Sequence, residues 1–360
     1  MKILYAMQGT GNGHLCRARD IIPILQENNE VDLLVSGTQA DIELPYPVKY
    51  KLNGLGFIFG ENGGVDIVET YKKNYLKVYF SEINNLPVQD YDLVINDFEP
   101  VSAWACYLNN LKCITISHQS AVLNNKAPQP HDIDIIGKAI LNNYAPGTEK
   151  YGFHFKPYDV NIYTPVIRQQ VREKIVSDKG HYTVYLPAYE DKRLLKVLGQ
   201  IENIEWQVFS KHNKKPIEEK NITIKPINNE DFIESMATST GVLCGAGFET
   251  PAEALFMKKK LMVIPMKSQY EQQCNAAALR EMGVPILKSL KVKHVEKIQD
   301  WIVNGNRVNV DYPDQTAEII NKILASLTPS SEFETLDAGK KEYTFKKFRI
   351  MLLKKIAAQL

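Results

Sequence analysis

At 360 residues the chain exceeds the usual size of one domain and suits two of about 150 to 180 residues, each able to bury its own core. Lys plus Arg number 43 against 42 Asp plus Glu, a formal net charge of +1, which argues against nucleic acid as a partner. Five cysteines, Cys16, Cys106, Cys113, Cys244 and Cys274, form neither a CxxC pair nor a zinc spacing, so no disulfide framework and no structural metal are expected.

The opening MKILYAMQGTGNGH holds an apolar stretch too short for a signal peptide's core. No segment reaches the roughly eighteen apolar residues of a membrane span, and the expected location is the cytoplasm. Residues 2–7 read as a buried strand, 8–13 as a loop, and Leu15, Ala18, Ile21, Ile22 and Leu25 recur at helical spacing. Strands are expected at 31–36, 47–52, 91–96 and 112–117, with helices at 66–83 and, led in by Pro100, at 101–109. Residues 124–157 are rich in Asn, Pro and Tyr and predict loops around one helix at 134–143, before a strand at 159–164.

A linker is placed at the start of 165–179. The alternation then restarts, with strands at 181–186, 205–210, 222–225, 241–244 and 260–265 and helices at 191–200, 230–237, 247–257 and 270–282. The expected fold is α/β, two Rossmann-like domains facing across a cleft, over residues 1–165 and 166–335. Residues 336–360 form a further unit; within it 340–360 place Phe345, Phe348, Leu352 and Ile356 on one helix face with basic residues elsewhere. Such a helix packs back on the body, or offers a peripheral membrane contact.

Three segments carry chemistry. Gly9-Thr10-Gly11-Asn12-Gly13-His14 lies between the first strand and helix, where glycines permit a tight turn and close approach of a ligand. A dinucleotide fingerprint needs glycine where His14 stands and an acid where the second strand ends in Ser36, so NAD and FAD are disfavoured. His14 can accept a proton near neutral pH, or simply hydrogen-bond the loop. The second segment, Gly245-Ala246-Gly247-Phe248-Glu249-Thr250-Pro251-Ala252-Glu253, opens a helix whose outward amides suit a diphosphate, with Glu253 one turn deeper in reach of sugar hydroxyls. The third places Glu271 and Gln272 at the next helix start, where they meet vicinal hydroxyls or form a solvated first turn. His118, after a strand ending at Ser117, faces the same strand-end crevice, as an acceptor contact or a loop residue with no role. Asp132-Ile133-Asp134 has the form of a metal-binding pair but sits in irregular sequence, and His131 and His154 have no metal spacing.

Together these residues resemble the GT-B glycosyltransferases, in particular the bacterial enzyme that adds N-acetylglucosamine to the lipid-linked cell-wall precursor and the UDP-glycosyltransferases. Gly11-Asn12-Gly13-His14 with Arg17 is similar to the first-loop motif, and Gly247 to Glu253, Pro265 and Glu271-Gln272 to the donor motif. The resemblance implies inverting, metal-independent transfer from a UDP-sugar, taken as substrate with no cofactor, to a glycan, lipid-linked or small-molecule acceptor. It implies that Gly245, Ala246, Gly247, Phe248 and Thr250 line the diphosphate side, that Glu253 grips the ribose, and that Glu271 and Gln272 hold the sugar. Gly11, Gly13 and His118 fall on the acceptor side. His14 becomes the base, with Asp97 orienting it; the other reading of Asp97 is a cap for the next helix. Leu186-Pro187-Ala188-Tyr189 stands where the family often has a glycine loop. A nucleotide-sugar hydrolase, an epimerase and a non-catalytic nucleotide-sugar sensor are the alternatives on this architecture.

Overall fold

The computed structural model describes residues 1–37, 44–55, 58–59, 65–66, 76–132, 134–267, 269–325, 345–347 and 350. The first half runs β1 (Lys2–Gln8), α1 (Asn12–Gln26), β2 (Glu30–Ser36), β3 (Tyr50–Leu52), β4 (Ile58–Phe59), β5 (Val65–Asp66), α2 (Leu76–Asn85) and β6 (Leu93–Asp97). It continues with α3 (Pro100–Asn109), β7 (Cys113–Ser117), α4 (His118–Val122), α5 (Ile135–Tyr144), β8 (Glu149–Phe153), β9 (Ile162–Tyr163) and α6 (Gln169–Arg172). The second half runs β10 (Tyr182–Tyr185), α7 (Asp191–Leu198), β11 (Trp206–Ser210), β12 (Ile217–Glu219), β13 (Ile222–Pro226), α8 (Asn229–Thr238) and β14 (Gly241–Gly245). Then follow α9 (Glu249–Phe256), β15 (Lys260–Ile264), α10 (Tyr270–Glu281), α11 (Val295–Asn304) and α12 (Thr316–Ala325).

Two sheets result. The first has the order β3-β2-β1-β6-β7-β8-β9 and is parallel throughout. The second has the order β12-β13-β11-β10-β14-β15, parallel except for the edge strand β12. Parallel strands covered on both faces must be apolar along their length, and Ile3 to Met7 of β1 are fully buried. One apolar cluster continues from β1 and α1 through Phe153 and Phe155 to Phe248, Ala252 and Ile320. The helix α12 returns from the second half to pack against α1.

The strong alternating segments fold as their periodicity predicts; the differences lie where apolar content is thin. Of the helix expected over 66–83, the described part is Leu76–Asn85, while Asp66 at its expected start pairs with Ile58 in an antiparallel ladder. Residues 67–75 lie outside the described residues. The strand β8 falls inside the stretch expected as loops. Its Gly152 is what lets it pack, since a Cβ there would sit 2.7 Å from Ala121 N and Cβ in α4. Most of the tail expected as a helix over 340–360 also lies outside the described residues. Phe345 within it packs edge-on to Phe80 at 5.4 Å and against Trp104 at 4.8 Å between centroids. All five cysteines are buried and free. Among the described residues no helix is long and apolar enough to cross a membrane.

Candidate functional site

In each sheet the strand order reverses beside the first strand of that half, and ligands of open parallel sheets bind at the carboxyl ends of the strands flanking such a point. In the first sheet this is the crevice between β1 and β6. Gln8, 2% exposed, closes β1 by donating to Tyr144 Oη at 2.8 Å and the Leu55 carbonyl at 3.3 Å. Gly9 follows where a Cβ would meet Val35 at 2.8 Å. The helix α1 then starts at Gly11 with no side-chain cap, and His14 and Arg17, three residues apart, share one of its faces.

The strand β6 ends in Asp97, in register with Met7 of β1. Phe98 adopts a φ of 57°, a left-handed conformation costly for a bulky residue. Asn96 holds the turn, donating to the Glu99 carbonyl at 2.7 Å and accepting from Glu99 N at 3.0 Å. Glu99, not Asp97, caps α3, accepting from Val101 N at 2.7 Å and Ser102 N at 2.6 Å. The cap reading of Asp97 is thereby displaced, and its carboxylate turns to α1.

There Asp97 Oδ1 lies 2.8 Å from His14 Nδ1. Arg17 donates to the same carboxylate from Nε at 3.2 Å and from Nη2 at 2.7 Å, and from Nη1 to Glu249 Oε1 at 2.5 Å. Asp97 and Arg17 are buried, and the His14 side chain is 14% exposed. Burial favours the neutral form of Asp97, but Arg17 and then His14 outweigh it and hold its pKa below the usual carboxylate value. Burial likewise opposes charge on His14, and Asp97 overcomes that to raise its pKa. With Asp97 ionised, Nδ1–H of His14 donates to it, and Nε2 is left as the proton acceptor.

In the second sheet the corresponding crevice lies between β10 and β14. Beyond Gly245, α9 starts without a side-chain cap. A Cβ at Gly247 or at Gly11 would meet no atom within 4 Å, whereas one at Gly13 would lie 2.5 Å from Glu249 Oε2. The two glycine loops therefore touch at Gly13 and Glu249. Thr250 is half-buried. Glu253, 2% exposed, gives both carboxylate oxygens to Arg168. Ala246 is buried and its carbonyl accepts from Asn275 at 3.1 Å. Gln272 accepts from Met266 N at 2.9 Å, pinning the loop after β15, and Glu271 accepts from Gln119 at 3.1 Å.

His118 is 1% exposed. Its Nδ1 lies 2.7 Å from the Phe153 carbonyl and its Nε2 2.7 Å from Asn275 Oδ1. Its ring stacks on Phe248 at 3.8 Å, and burial pushes its pKa down. As placed, His118 and Phe248 fill the junction between the halves instead of facing a crevice. Asp134 caps α5 through Gly137 N at 2.8 Å and Asp132 faces solvent. After β10, Tyr189 N donates to the Leu186 carbonyl at 2.9 Å and its hydroxyl accepts from Leu290 N at 3.3 Å, a turn closed by side-chain packing in place of glycines.

The profile of the family described as Glycosyl transferase family 1 matches residues 1–304. The chain belongs to this family. The glycosyltransferase is similar in structure to a UDP-glucosyltransferase from Polygonum tinctorium, with 11% identity, a TM-score of 0.55 and coverage of 97% of this chain and 98% of that one. It is also similar to UGT2 of Phytolacca americana, with 12% identity, a TM-score of 0.54 and coverage of 100% and 99%. MurG of Acinetobacter baumannii gives 15% identity, a TM-score of 0.51 and coverage of 89% and 94%. These likenesses show the GT-B fold. No curated protein matches the chain at a significant level.

Sequence reasoning missed four site residues of this glycosyltransferase as partners. Arg17 entered only as part of a motif and Glu249 only as part of the second segment, while Arg168 falls within 165–179 and Asn275 within the expected helix 270–282, neither with a role. Only Arg17 had a legible signal, a charge on the apolar face of α1 between Leu15 and Ala18 that requires a buried counter-charge.

Proposed function

We propose that this glycosyltransferase moves a sugar from a UDP-sugar to a hydroxyl acceptor with inversion at the anomeric carbon and without a metal ion. The observation that carries the reading is His14 Nδ1 held at 2.8 Å by the buried Asp97, in the first turn of α1, whose Gly13 touches Glu249 at the start of α9. Nε2 of His14 takes the acceptor's hydroxyl proton as its oxygen bonds to the anomeric carbon. The bond from that carbon to the diphosphate oxygen breaks, and its electron pair leaves with the diphosphate. Asp97 stabilises the imidazolium. The amides around Gly245, Ala246, Gly247 and Thr250 and the dipole of α9 receive the leaving charge, the task a metal performs in other designs.

Glu253 accepts from the ribose hydroxyls while sharing its carboxylate with Arg168, and Glu271 and Gln272 hold the transferred sugar. Phe248 and His118 act as packing that fixes the donor loop, and Gly11 and Gly13 leave room on the acceptor side. The acceptor is a glycan, a lipid-linked saccharide or a small molecule, met in the cytoplasm.

A turnover panel of UDP-, GDP- and dTDP-sugars, run with and without EDTA and read by NMR of the product anomer, tests the reading. Transfer from a UDP-sugar with inversion and no loss in EDTA is expected. Retention of configuration, or activity abolished by EDTA and restored by a divalent cation, overturns it.

A further inference from the structure

We infer that Glu249, at the first turn of α9, is a positioning residue for the base: through Arg17 it ties the His14–Asp97 pair to the donor loop. His14 then reaches its working proton affinity only with the two glycine loops in contact. The inference rests on the reading of His14 as the base.

The geometry is that of a bridge. Arg17 is 1% exposed and spends its guanidinium on two carboxylates from opposite halves, Asp97 at 2.7 Å and Glu249 at 2.5 Å. A lysine could not replace it, because only a planar fork presents separate donors to both partners. Glu249 reaches Arg17 across the first turn of α1, and the residue it passes is Gly13, where a Cβ would lie 2.5 Å from Oε2 and 2.7 Å from Cδ. The absence of a side chain at position 13 is thus what admits the carboxylate.

Charge decides the consequence. The charged groups facing His14 are Asp97 from β6, Arg17 from α1 and Glu249 from α9, and the neutral Tyr5 of β1 lies beside Asp97 and Arg17. With Glu249 in place the two carboxylates and one guanidinium sum to −1, and a proton on His14 brings the group to neutrality. With Glu249 withdrawn the sum is already zero. The guanidinium, whose Nη2 is 3.3 Å from His14 Nδ1, then opposes the imidazolium with no second carboxylate to offset it. In a water-poor site such differences are only weakly screened. A carboxylate on the donor loop therefore strengthens a base on the acceptor loop, and separating the loops weakens it. A purely structural brace would hold the halves without touching this titration.

The test uses the full chain labelled on histidine, with the His14 signal assigned by its loss in His14→Gln. The His14 midpoint and the pH profile of kcat are measured for wild type, Glu249→Gln, Glu249→Asp and Gly13→Ala. In Glu249→Gln the midpoint falls by about one pH unit, tenfold in proton affinity, the acid limb of kcat moves with it, and Glu249→Asp restores part of the shift. Gly13→Ala, which keeps the carboxylate but displaces it, lowers the midpoint in the same direction and covers the case in which Glu249→Gln does not fold. An unchanged midpoint in folded variants overturns the inference and leaves Glu249 a brace. A midpoint that moves while the acid limb stays fixed upholds the coupling and removes His14 from the reaction.

Discussion

The guanidinium of Arg168 closes on the carboxylate of Glu253 with two hydrogen bonds, Nε to Oε1 at 2.5 Å and Nη2 to Oε2 at 2.8 Å. Its Nη1 donates to Asn229 at 2.6 Å. Arg168 stands where the chain leaves the first sheet, so this pair fastens the connection between the halves to the helix of the donor loop. Removing one member of a buried pair strands the other charge, at about 3–5 kcal/mol. Glu253→Met alone and Arg168→Met alone are therefore each expected to lower the unfolding free energy by that order. The double variant Arg168→Met with Glu253→Met should lose less than the sum of the single changes. Thermal and urea unfolding of the four proteins measures both, and additive losses would show that the two residues do not act as a pair.

Replacing His14 separates binding from chemistry. His14→Gln removes the proton acceptor but leaves α9 and its amides intact, so UDP binding by calorimetry should match wild type. Turnover should fall by about 10²–10⁴, the usual contribution of a positioned base. Undiminished turnover in this variant would take the proton to another group.

The raised pKa of His14 has a definite sign in activity. A base works in its neutral form, so the rate should rise with pH through a midpoint above the usual histidine value of about 6.5. In stability the same shift means that folding takes up a proton at His14. That contribution is full below the unfolded pKa and is lost as pH rises through the folded one. Asp97, with a lowered pKa, contributes stability above its unfolded value that is lost as pH falls through the folded one. Melting temperature followed against pH, in wild type and His14→Gln, isolates the histidine's part; a wild-type acid limb below the ordinary histidine range would contradict the assignment.

The elements that hold the site were legible because parallel strands covered on both sides must be apolar without interruption. The segment 2–7, its neighbour at 91–96 and, in the second sheet, 241–244 are such runs. Both glycine loops and His14 follow from what stands at the ends of those strands. The partnerships did not follow. Arg17 with Glu249, Arg168 with Glu253 and His118 with Asn275 join residues separated by 232, 85 and 157 positions, and no local periodicity carries such pairings. Asp97 illustrates the boundary: its place after a strand suited both an orienting acid and a helix cap, and only the capture of the cap by Glu99 distinguishes the two.

Asp97→Asn tests the dyad from its other side. An amide keeps the shape but gives up the charge that holds the Nδ1–H tautomer of His14 and balances Arg17. The expected result is a turnover loss of about 10²–10⁴, a lowered His14 midpoint, and destabilisation of about 1–3 kcal/mol, less than for a stranded charge because Arg17 keeps Glu249 as its counter-charge. Turnover and chemical denaturation on the same preparations report the two losses separately. Full activity in a folded Asp97→Asn would reduce Asp97 to a partner of Arg17 alone.

Two glycines divide fold from function. A methyl at Gly152 would press on backbone and Cβ of Ala121 at 2.7 Å, inside the helix whose first residue, His118, stacks on Phe248. Backbone cannot swing aside as a side-chain tip can, so Gly152→Ala is expected to cost about 1–3 kcal/mol as overpacking and to loosen the junction between the halves. A methyl at Gly247 would meet no protein atom within 4 Å, and its φ carries no left-handed strain, so Gly247→Ala should melt with wild type. The space in front of Gly247 is where the proposed diphosphate approaches the start of α9, and there the methyl should weaken UDP-sugar binding. Unfolding curves and calorimetric titration of both variants thus give opposite patterns, and a Gly247→Ala protein that binds UDP-sugar at wild-type strength would move the donor away from this loop.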